Sequence, residues 1–375
     1  MAFVLPIYSP PDFNSPPLID APFVVLDRVT QRGVAPVNYH ATSIYPEYFH
    51  LGKGDWRLVA ESRMDCVVTL ERDGSLGVKE FRHLQVGDSV VVGRSEDGEE
   101  GIFVHALDLS SPRGASEKFA FRTHISRETS FSIDYDELYE LLNYERENGF
   151  ILWVLGPAVA FDKDARQSLA HLINEGYVHG LFAGNALAVH DVEGSLFGTA
   201  LGQELYTKRH ALLGHYKHLD AINKIRSVGS LGKAVEAGII DDGIMRAVIL
   251  NKVPYVLAGS IRDDGPLPEV IADAYVAQDH MRALARRATT VMAVATQLHS
   301  IATGNMIPAY HVTSGNKIRP VYFYTVDMSE FAVHKLADRG SLSAHSILTN
   351  AQDFVVTLER GLLTKPCAPA GEQKI

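Results

Sequence analysis

Two polar, glycine-containing segments of this chain, residues 184–193 and 258–268, carry side chains suited to small-molecule chemistry. The side chains concerned are those of Asn185, His190, Asp191, Arg262, Asp263 and Asp264. An imidazole transfers protons near neutral pH, a carboxylate accepts a cation or a proton, and a guanidinium holds a carboxylate by paired hydrogen bonds. Residues 263–266, Asp-Asp-Gly-Pro, are equally typical of an ordinary turn. The pattern indicates a ligand site, with a plain turn as the alternative for the second segment.

Each segment follows an apolar run that predicts a buried strand, over residues 178–183 and 253–258. Open α/β sheets bind ligands beyond the carboxyl ends of their strands, so both segments are expected to be loops at that edge. A further strand, predicted over 319–326, ends in Asp327. Its carboxylate is suited to accept hydrogen bonds from ribose hydroxyls or to cap a helix starting at Ser329.

Further candidates lie in two other segments. Thr303, Gly304, Asn305 and Met306 end a long helix predicted over 275–302, and form either a cofactor loop or a simple helix C-cap. His215, Lys217 and the neighbouring histidines of segment 209–221 are candidates for proton transfer, or the start of a solvated helix. His190 and Asp191 are adjacent and no His/Cys cluster completes a zinc site, so we expect no metal.

Composition and charge exclude several classes of protein. The formal net charge is −10 and basic residues do not cluster, so no nucleic-acid partner is expected. The two cysteines, Cys66 and Cys367, are too few and too distant for a disulfide framework, which favours a cytoplasmic location. The apolar stretch 288–302 is too short for a bilayer and is interrupted by polar residues, so we predict a buried core helix there and no membrane partner.

The organisation of the chain changes near residue 150. We predict a Pro-rich arm over 1–22, a small β-rich domain over 23–116, a linker and helix over 117–149, an α/β domain over 150–365 and a flexible tail over 366–375. In the α/β domain, strands alternate with amphipathic helices, which indicates a parallel sheet with right-handed crossovers. The fold class predicted is therefore α/β, with a Rossmann-like parallel sheet preceded by a β-rich domain.

Several of these motifs together resemble one known family. Residues 184–191, 258–268, 298–306 and 335–341 are similar to those of the archaeal-type ornithine cyclodeaminases, also called LOR/SDH proteins, and of the cyclodeaminase half of cyanobacterial arginine dihydrolases. The resemblance runs from about Asp27 to Leu363 and includes residues 38–46, 63–65 and 84–88. It implies an NAD-binding domain similar to that of deoxyhypusine synthase, which agrees with the missing Gly-x-Gly-x-x-Gly fingerprint.

The resemblance also implies roles for individual residues. The NAD contacts it implies are Asn185, Ala186, Asp264, Thr303, Gly304, Asn305, Met306, Asp327 and Asn350. Asn350 stands where the family usually has Asp, so an altered contact is expected there. Residues 160–163, Ala-Phe-Asp-Lys, also depart from the His-Thr-Gly that the family tends to have after Gly-Pro-Ala-Val.

The implied reaction uses NAD⁺ as a recycled catalyst. Hydride leaves the α-carbon of ornithine, the δ-amine attacks the resulting imine, ammonia departs, and the cyclic imine takes the hydride back to give proline. The roles implied are Arg262 as carboxylate clamp, Asp191 or Asp263 as cation partner and base, and His190, His215 or Lys217 in proton shuttling. Alternatives are another basic or ω-amino acid as substrate, an NAD-dependent amino-acid dehydrogenase or imine reductase, and a non-catalytic NAD-binding protein. A homo-oligomer is expected.

Overall fold

The computed structural model describes residues 3–106, 109–110, 135–263, 265–313, 317–329 and 341–363. Strands in the N-terminal part are β1 Ile7–Tyr8, β2 Val25–Arg28, β3 Glu47–Gly52, β4 Asp55–Leu58, β5 Val67–Leu70, β6 Leu76–Lys79, β7 Ser89–Val92, β8 Ile102–Val104 and β9 Leu109–Ser110. Helix α1, Tyr135–Asn148, then leads into the second part.

The second part alternates strands and helices. In chain order they are β10 Ile151–Leu155, α2 Lys163–Asn174, β11 Gly180–Gly184, α3 Asn185–Phe197, β12 Thr199–Ala200, β13 Gln203–Glu204, α4 Gly214–Val228, α5 Leu231–Glu236, α6 Ile244–Leu250, β14 Tyr255–Ala258, β15 Val270–Ile271, α7 Ala274–Ala285, β16 Thr290–Val294, α8 Leu298–Met306, β17 Tyr310–Thr313, β18 Lys317–Pro320, β19 Tyr322–Asp327, β20 Ser343–Leu348 and α9 Ala351–Leu363. No helix in the described ranges is both long and apolar enough to cross a membrane.

The N-terminal part is built on two small antiparallel sheets, ordered β2-β7-β5-β6 and β4-β3-β8. Their inner faces share a core that includes Phe49, Val68, Val91 and Ile102, because alternate residues of each strand point to the same face. Short strands and turns were predicted here, and β4, β5 and β7 confirm them.

A seven-stranded sheet, ordered β15-β14-β11-β10-β16-β19-β20, forms the centre of the second part, and each neighbouring pair of its strands is parallel. The chain proceeds outward from β10 in one direction and then returns to start again at β16. Helices on both faces bury the sheet, with one core on the side of α2, α3 and α9 and a second on the side of α7 and α8. The predicted α/β fold class with a Rossmann-like parallel sheet is confirmed.

The prediction of one long helix over 275–302 is wrong. The chain instead forms α7, crosses the sheet as β16 and continues as α8. A short apolar run has the same appearance in a buried strand and a buried helix, and the β-branched residues Thr289, Thr290 and Val291 favour the strand. The stretch predicted as a core helix therefore contains a central strand, whose residues are all buried.

Two other segments also differ from the prediction. The segment that begins at Asn185 was predicted as a loop but forms helix α3, whose Ala-Leu-Ala sequence favours helix and whose residues 187–194 are buried. The single strand predicted over 319–326 is divided at Val321. Its first part pairs antiparallel with β17, and its second part, β19, joins the parallel sheet.

Candidate active site

The reversal of strand order lies between β10 and β16, where an open α/β sheet leaves a crevice at the carboxyl ends of its strands. The backbone is unusually close there, because a Cβ on Gly156 would lie 1.8 Å from the carbonyl oxygen of Ala295. Ala295 itself has φ of 52°, a left-handed conformation that non-glycine residues rarely adopt. Strain of this kind concentrates at functional sites. The crevice is therefore the candidate site.

Asn185 and Ala186 begin helix α3 directly after β11, at this edge. Asn185 is buried, and its Oδ1 accepts a hydrogen bond at 3.1 Å from the amide of Leu267, which follows β14. This contact ties the two polar segments together. The first amides of α3 face the same edge, where the helix dipole favours a negatively charged group such as a phosphate.

Asp327 and Asn350 lie at the far end of the same edge. Asp327 is the last residue of β19, and its Oδ1 accepts a hydrogen bond at 2.8 Å from the amide of Ser329. Asn350 caps helix α9, because its Oδ1 accepts from the amides of Gln352 and Asp353 at 2.8 and 3.3 Å. Asp327 thus stabilises a turn and Asn350 caps a helix, and both lie at the edge of the sheet that contains the crevice.

Thr303–Met306 form the last turn of α8 rather than a loop. Since α8 starts at the crevice, this turn lies roughly 8–12 Å farther along the helix axis. Thr303 and Met306 are fully buried, and the side-chain oxygens of Thr303 and Asn305 have no hydrogen-bond partner in the part of the chain that the structure describes. Buried oxygens without a donor are costly, so a bound group that donates hydrogen bonds fits here.

His299 is a candidate residue that the analysis of the sequence did not single out. It lies in the first turn of α8, and its Cε1 is 3.6 Å from the position that a Cβ on Gly184 would occupy. The imidazole therefore lies at the crevice, near the end of β11. Burial lowers the pKa of His299, which makes it a neutral hydrogen-bonding group at pH 7.

A buried hydrogen-bond network lies behind the crevice, between α3 and α4. Glu193 is fully buried; its Oε2 is 3.2 Å from Nδ1 of His190 and 3.8 Å from Nδ1 of His218. Burial by itself would raise the pKa of Glu193, but the two neighbouring imidazoles and hydrogen bonds from the Gly202 amide and the Thr199 hydroxyl hold it well below its usual value. Glu193 is therefore ionised and fixes His190, while Nδ1 of His218 lies nearby without a hydrogen-bond partner among the described residues.

The same three side chains have the types and spacing of a metal site, with ligand atoms all within 4.8 Å of one another. The hydrogen bonds favour a different interpretation. Oε1 of Glu193 accepts from Thr199 and Gly202 at 2.9 and 3.0 Å, and Oε2 also accepts from Leu201 at 3.1 Å. Together with His190, these donors use the acceptor positions of the carboxylate. The expectation of no metal stays a prediction.

Asp191, predicted as a base, points away from this network. Its Oδ1 accepts from Arg166 Nε at 2.6 Å and from the Ile244 amide at 2.9 Å, and its Oδ2 accepts from the Met245 amide at 2.7 Å. Asp191 and Arg166 are both buried. The carboxylate thus joins α2, α3 and the start of α6, and its contacts are those of a structural residue.

The second polar segment forms a turn after β14. Asp263 Oδ2 accepts from the Ser260 amide at 2.8 Å, and Arg262 is exposed. Asp264 lies outside the described residues. His215 and Lys217 are on the first turn of α4, where His215 is exposed and packs against Tyr216 with ring centroids 4.3 Å apart. His218, one residue after Lys217, is the member of that segment that reaches the buried network.

The structure thus brings many of the predicted residues to one edge and adds others. Asn185, Ala186, Arg262, Asp263 and Asn350 follow carboxyl ends of strands in the parallel sheet, and Asp327 is the last residue of such a strand. Glu193 and His299 were not assigned to the site from the sequence, whereas His218 was among the histidines predicted as candidates for proton transfer. The i, i+3 spacing of His190 and Glu193 was a usable signal, since such residues share a helix face.

Comparison with known proteins identifies relatives over most of the chain. Residues 137–358 match the family described as "Arginine dihydrolase ArgZ-like, C-terminal, Rossmann fold", and residues 50–131 match its C-terminal first region. The chain is 42% identical over 341 residues to ornithine cyclodeaminase of Methanopyrus kandleri, covering 90% of this chain and 78% of that protein. It is 36% identical to the bifunctional arginine dihydrolase/ornithine cyclodeaminase ArgZ of Synechocystis, covering 91% of this chain and 47% of that protein.

Solved structures agree with this relationship. A LOR/SDH protein from Methanococcus maripaludis superimposes with a TM-score of 0.81 at 34% identity, over 91% of this chain and 98% of that one. A ternary complex of AgrE with ornithine and NAD⁺ superimposes with a TM-score of 0.57 at 32% identity, over 94% of this chain and 47% of that one. By sequence and by fold, the chain belongs to the ornithine cyclodeaminase family that includes the C-terminal regions of ArgZ-like arginine dihydrolases.

Proposed function

We propose that this protein is an NAD-dependent ornithine cyclodeaminase, which converts L-ornithine to L-proline and releases ammonia. The observation that carries the proposal is the crevice at the reversal of strand order, where the expected cofactor residues at strand ends lie in front of the buried His190–Glu193–His218 network. The family relationship supports it, because the relatives are named ornithine cyclodeaminases and AgrE binds both ornithine and NAD⁺.

The residues present fit NAD. Asp327 offers a carboxylate at the end of β19, and α3 directs its first amides towards the same edge. The buried, unpartnered oxygens of Thr303 and Asn305 fit hydrogen-bond donors of a bound group. Asn185, Ala186, Asp264, Gly304, Met306 and Asn350 complete the set that we propose for the cofactor. When bound, NAD supplies a reversible hydride acceptor at the substrate carbon.

The side chains proposed for the substrate divide into binding and proton transfer. Arg262 is exposed at the edge and forms no ion pair within the described residues, so its guanidinium is suited to hold the substrate carboxylate. His190 is held by ionised Glu193, which fixes the orientation of the ring for proton transfer to or from a substrate amine. His215 and Lys217 remain proposals for later steps of proton shuttling.

The structure favours one of the two acids that the sequence left as alternatives for the base. Either Asp191 or Asp263 was expected as cation partner and base. Because Arg166 and two backbone amides occupy the Asp191 carboxylate, we propose Asp263 for the interaction with the substrate cation and His190 for proton transfer.

The experiment is incubation of the purified protein with NAD⁺ and L-ornithine, followed by measurement of proline, ammonia and NADH. We expect proline and ammonia in equal amounts with no net NADH. Net NADH formation would instead identify an amino-acid dehydrogenase. Saturable NAD binding without either product would support a non-catalytic NAD-binding protein.

A second candidate keeps the chemistry but changes the substrate to another basic or ω-amino acid. The observation that favours it is Phe161, whose ring packs edge-on against His190 with centroids 5.0 Å apart. Phe161 lies in the segment that departs from the family pattern, so the space beside His190 is shaped differently here. Comparing kcat/KM for ornithine, lysine and 2,4-diaminobutyrate distinguishes the two; a preference for ornithine would reject this candidate.

A further inference from the structure

A group of charged side chains lies at the junction between the β-rich part and helix α7. Its members come from three separate stretches of the chain, so no local pattern in the sequence reveals it. The chain as a whole has a net charge of −10, yet this group contains three guanidinium groups and an imidazole against two carboxylates. We call it the junction cluster; it comprises Arg63, Glu80, Arg82, His83, Asp279 and Arg282.

Two guanidinium groups of the junction cluster share one oxygen of Glu80. This oxygen, Oε1, contacts Nη2 of Arg63 and lies 2.6 Å from Nε of Arg282. Both arginine side chains are more than nine-tenths buried, so their charges are largely removed from water. Burial and repulsion from Arg63 and Arg82 lower the pKa of Arg282, although Glu80 opposes this. One carboxylate therefore does not balance the two buried cations.

The other groups of the junction cluster meet at Asp279, on the side that faces solvent. Oδ1 of Asp279 lies 2.5 Å from Nη2 of Arg82 and 3.5 Å from both Nη1 of Arg282 and Nε2 of His83. Among the described residues, only Arg82 donates hydrogen bonds to this carboxylate. The side chains of Arg82 and His83 are 31% and 39% exposed, so an ion from solvent can reach the cluster here.

Buried nitrogen atoms without a partner are concentrated in the junction cluster. Nε of Arg63, Nη1 of Arg282 and Nε2 of His83 are buried and form no hydrogen bond with any described residue. A guanidinium keeps its charge in a protein, so its unpartnered N–H groups stay donors and each costs free energy. Buried donors are in general satisfied by protein, by water or by a bound ion. The unpartnered donors and the excess of positive charge together point to an anion as the missing partner.

We propose that the junction cluster binds a phosphate group, either inorganic phosphate or the phosphate of a small metabolite. A planar guanidinium forms paired hydrogen bonds with phosphate oxygens, and donors that approach from several directions suit a tetrahedral anion. The donors are held in place, because Leu84 is fully buried in the core of the β-rich part and anchors the turn that carries Arg82 and His83. The proposal does not depend on the reaction that the crevice performs.

A phosphate at the junction cluster would connect the two parts of the molecule. Arg63, Arg82 and His83 belong to the β-rich part, whereas Arg282 belongs to α7. Helix α7 begins just after β15, at the carboxyl edge of the sheet, and its Tyr275 lies beneath Arg82, with 5.3 Å between the guanidinium carbon and the ring centroid. Phosphate bound between these groups would therefore stabilise the position of the β-rich part against this edge.

The test is calorimetric titration of the full-length protein with inorganic phosphate at pH 7 and constant ionic strength. We expect saturable binding. Arg82→Gln should raise the dissociation constant about tenfold or more, because it removes a charge-assisted contact. Asp279→Asn should instead lower it about threefold, because an exposed carboxylate beside the anion loses its charge. Arg57→Gln is the matched control, since Arg57 forms a similar pair with Asp55 on the surface of the β-rich part.

Titrations with acetate, and with phosphate in the presence of NAD⁺, identify the anion and its location. Acetate should bind more weakly than phosphate, and saturating NAD⁺ should leave phosphate binding unchanged. The proposal is overturned by equal binding of acetate, by the absence of saturable phosphate binding, or by phosphate binding that NAD⁺ abolishes, which would place the ion in the crevice. If Arg82→Gln does not fold, the opposite effect expected of Asp279→Asn decides, and an unchanged dissociation constant rejects the cluster.

Hydrogen exchange on the wild-type protein gives an independent measurement of where phosphate binds. Phosphate should slow exchange in residues 80–84 and 275–286, the two segments that carry most of the junction cluster. Protection of residues 185–190 at the start of α3, without protection of these two segments, would reject the proposal.

Discussion

At the scale of single residues, Glu193 organises more of the candidate site than any residue predicted from the sequence. One buried carboxylate orients His190, lies 3.8 Å from His218 and, through Thr199, Leu201 and Gly202, fixes the turn that follows α3. A carboxylate with this many donors is stable as an anion although it is out of contact with water. Its role is to position other groups.

Replacing Glu193 by Gln should lower the free energy of unfolding by about 1–3 kcal/mol at pH 7, because the amide cannot accept from every donor around it. The pKa of Glu193 is depressed by folding, so its contribution is complete above the ordinary carboxyl pKa and is lost as the pH falls through the folded-state pKa. Urea unfolding at pH 7 and pH 3 tests this. The difference from wild type should shrink at pH 3, and a difference independent of pH would contradict the prediction. Glu204→Gln, at an exposed neighbouring position, is the control.

Asp327 tests the cofactor end of the crevice. Asp327→Ala should weaken NAD binding by about 10- to 100-fold, since a hydrogen bond to a charged group contributes roughly 1.5–3 kcal/mol. Calorimetric titration with NAD⁺ measures the effect, with Asp353→Ala as control because Asp353 lies nearby on α9. Unchanged affinity would remove Asp327 from the proposed site.

At the scale of secondary-structure elements, Asp191 shows how a polar residue can hold helices together. Its carboxylate pairs with Arg166 of α2 and accepts the first amides of α6, which otherwise have no partner within their helix. Gly243, just before α6, leaves room for this contact. A Cβ there would lie 2.0 Å from Nη2 of Arg166.

Asp191→Asn should therefore destabilise the fold by about 1.5–3 kcal/mol, because the buried guanidinium of Arg166 keeps Asp242 as a partner but loses its charged hydrogen bond to Asp191. Asp241→Asn is the control at an exposed position close by. Two measurements distinguish a structural role of Asp191 from a role as catalytic base: the free energy of chemical unfolding and the specific activity of the folded protein. Full stability with abolished activity would show that Asp191 is a base after all.

The elements also show what the sequence could and could not reveal. Alternation of strands and helices was sufficient for the parallel sheet, and the run 253–258 correctly located β14. β16 was missed because a fully buried strand shows no alternation of polar and apolar residues. Asn185 and Asp327 were predicted at strand ends and do lie at the carboxyl edge of the sheet, since strand ends can be located from sequence; their part in a site stays a prediction. Glu193 and His218 are 25 residues apart, and their contact depends on the packing of α3 against α4, which no local pattern reveals.

At the scale of the whole molecule, an ionic network joins the β-rich part to the parallel sheet. Glu80 pairs with Arg63 of its own part and with Arg282 of α7, where Nε is 2.6 Å from Oε1. Burial alone would raise the pKa of Glu80, but the two guanidinium groups hold it below its usual value. The two parts are also linked by hydrogen bonds from Ala309 to Ser62 and from Tyr310 to Val59.

Glu80→Gln should reduce the stability of the junction by about 3 kcal/mol, because two largely buried cations lose their shared partner. Differential scanning calorimetry should show a lower transition temperature, or separation into two transitions as the parts uncouple. Glu71→Gln is the control, because Glu71 pairs with Lys79 within the β-rich part and is more exposed. A single transition at the wild-type temperature would show that the network contributes little.

The strand order has a consequence for the synthesis of the protein. β10 lies in the middle of the sheet, yet its neighbour β16 follows more than a hundred residues later. At roughly 5–20 residues per second, the ribosome needs several seconds or more to supply it. During that time β10, β11 and β14 have emerged, while one edge of the apolar strand β10 keeps unpaired backbone groups that any other extended chain can bind. Productive folding of the nascent polypeptide therefore depends on shielding that edge until residue 294 leaves the exit tunnel.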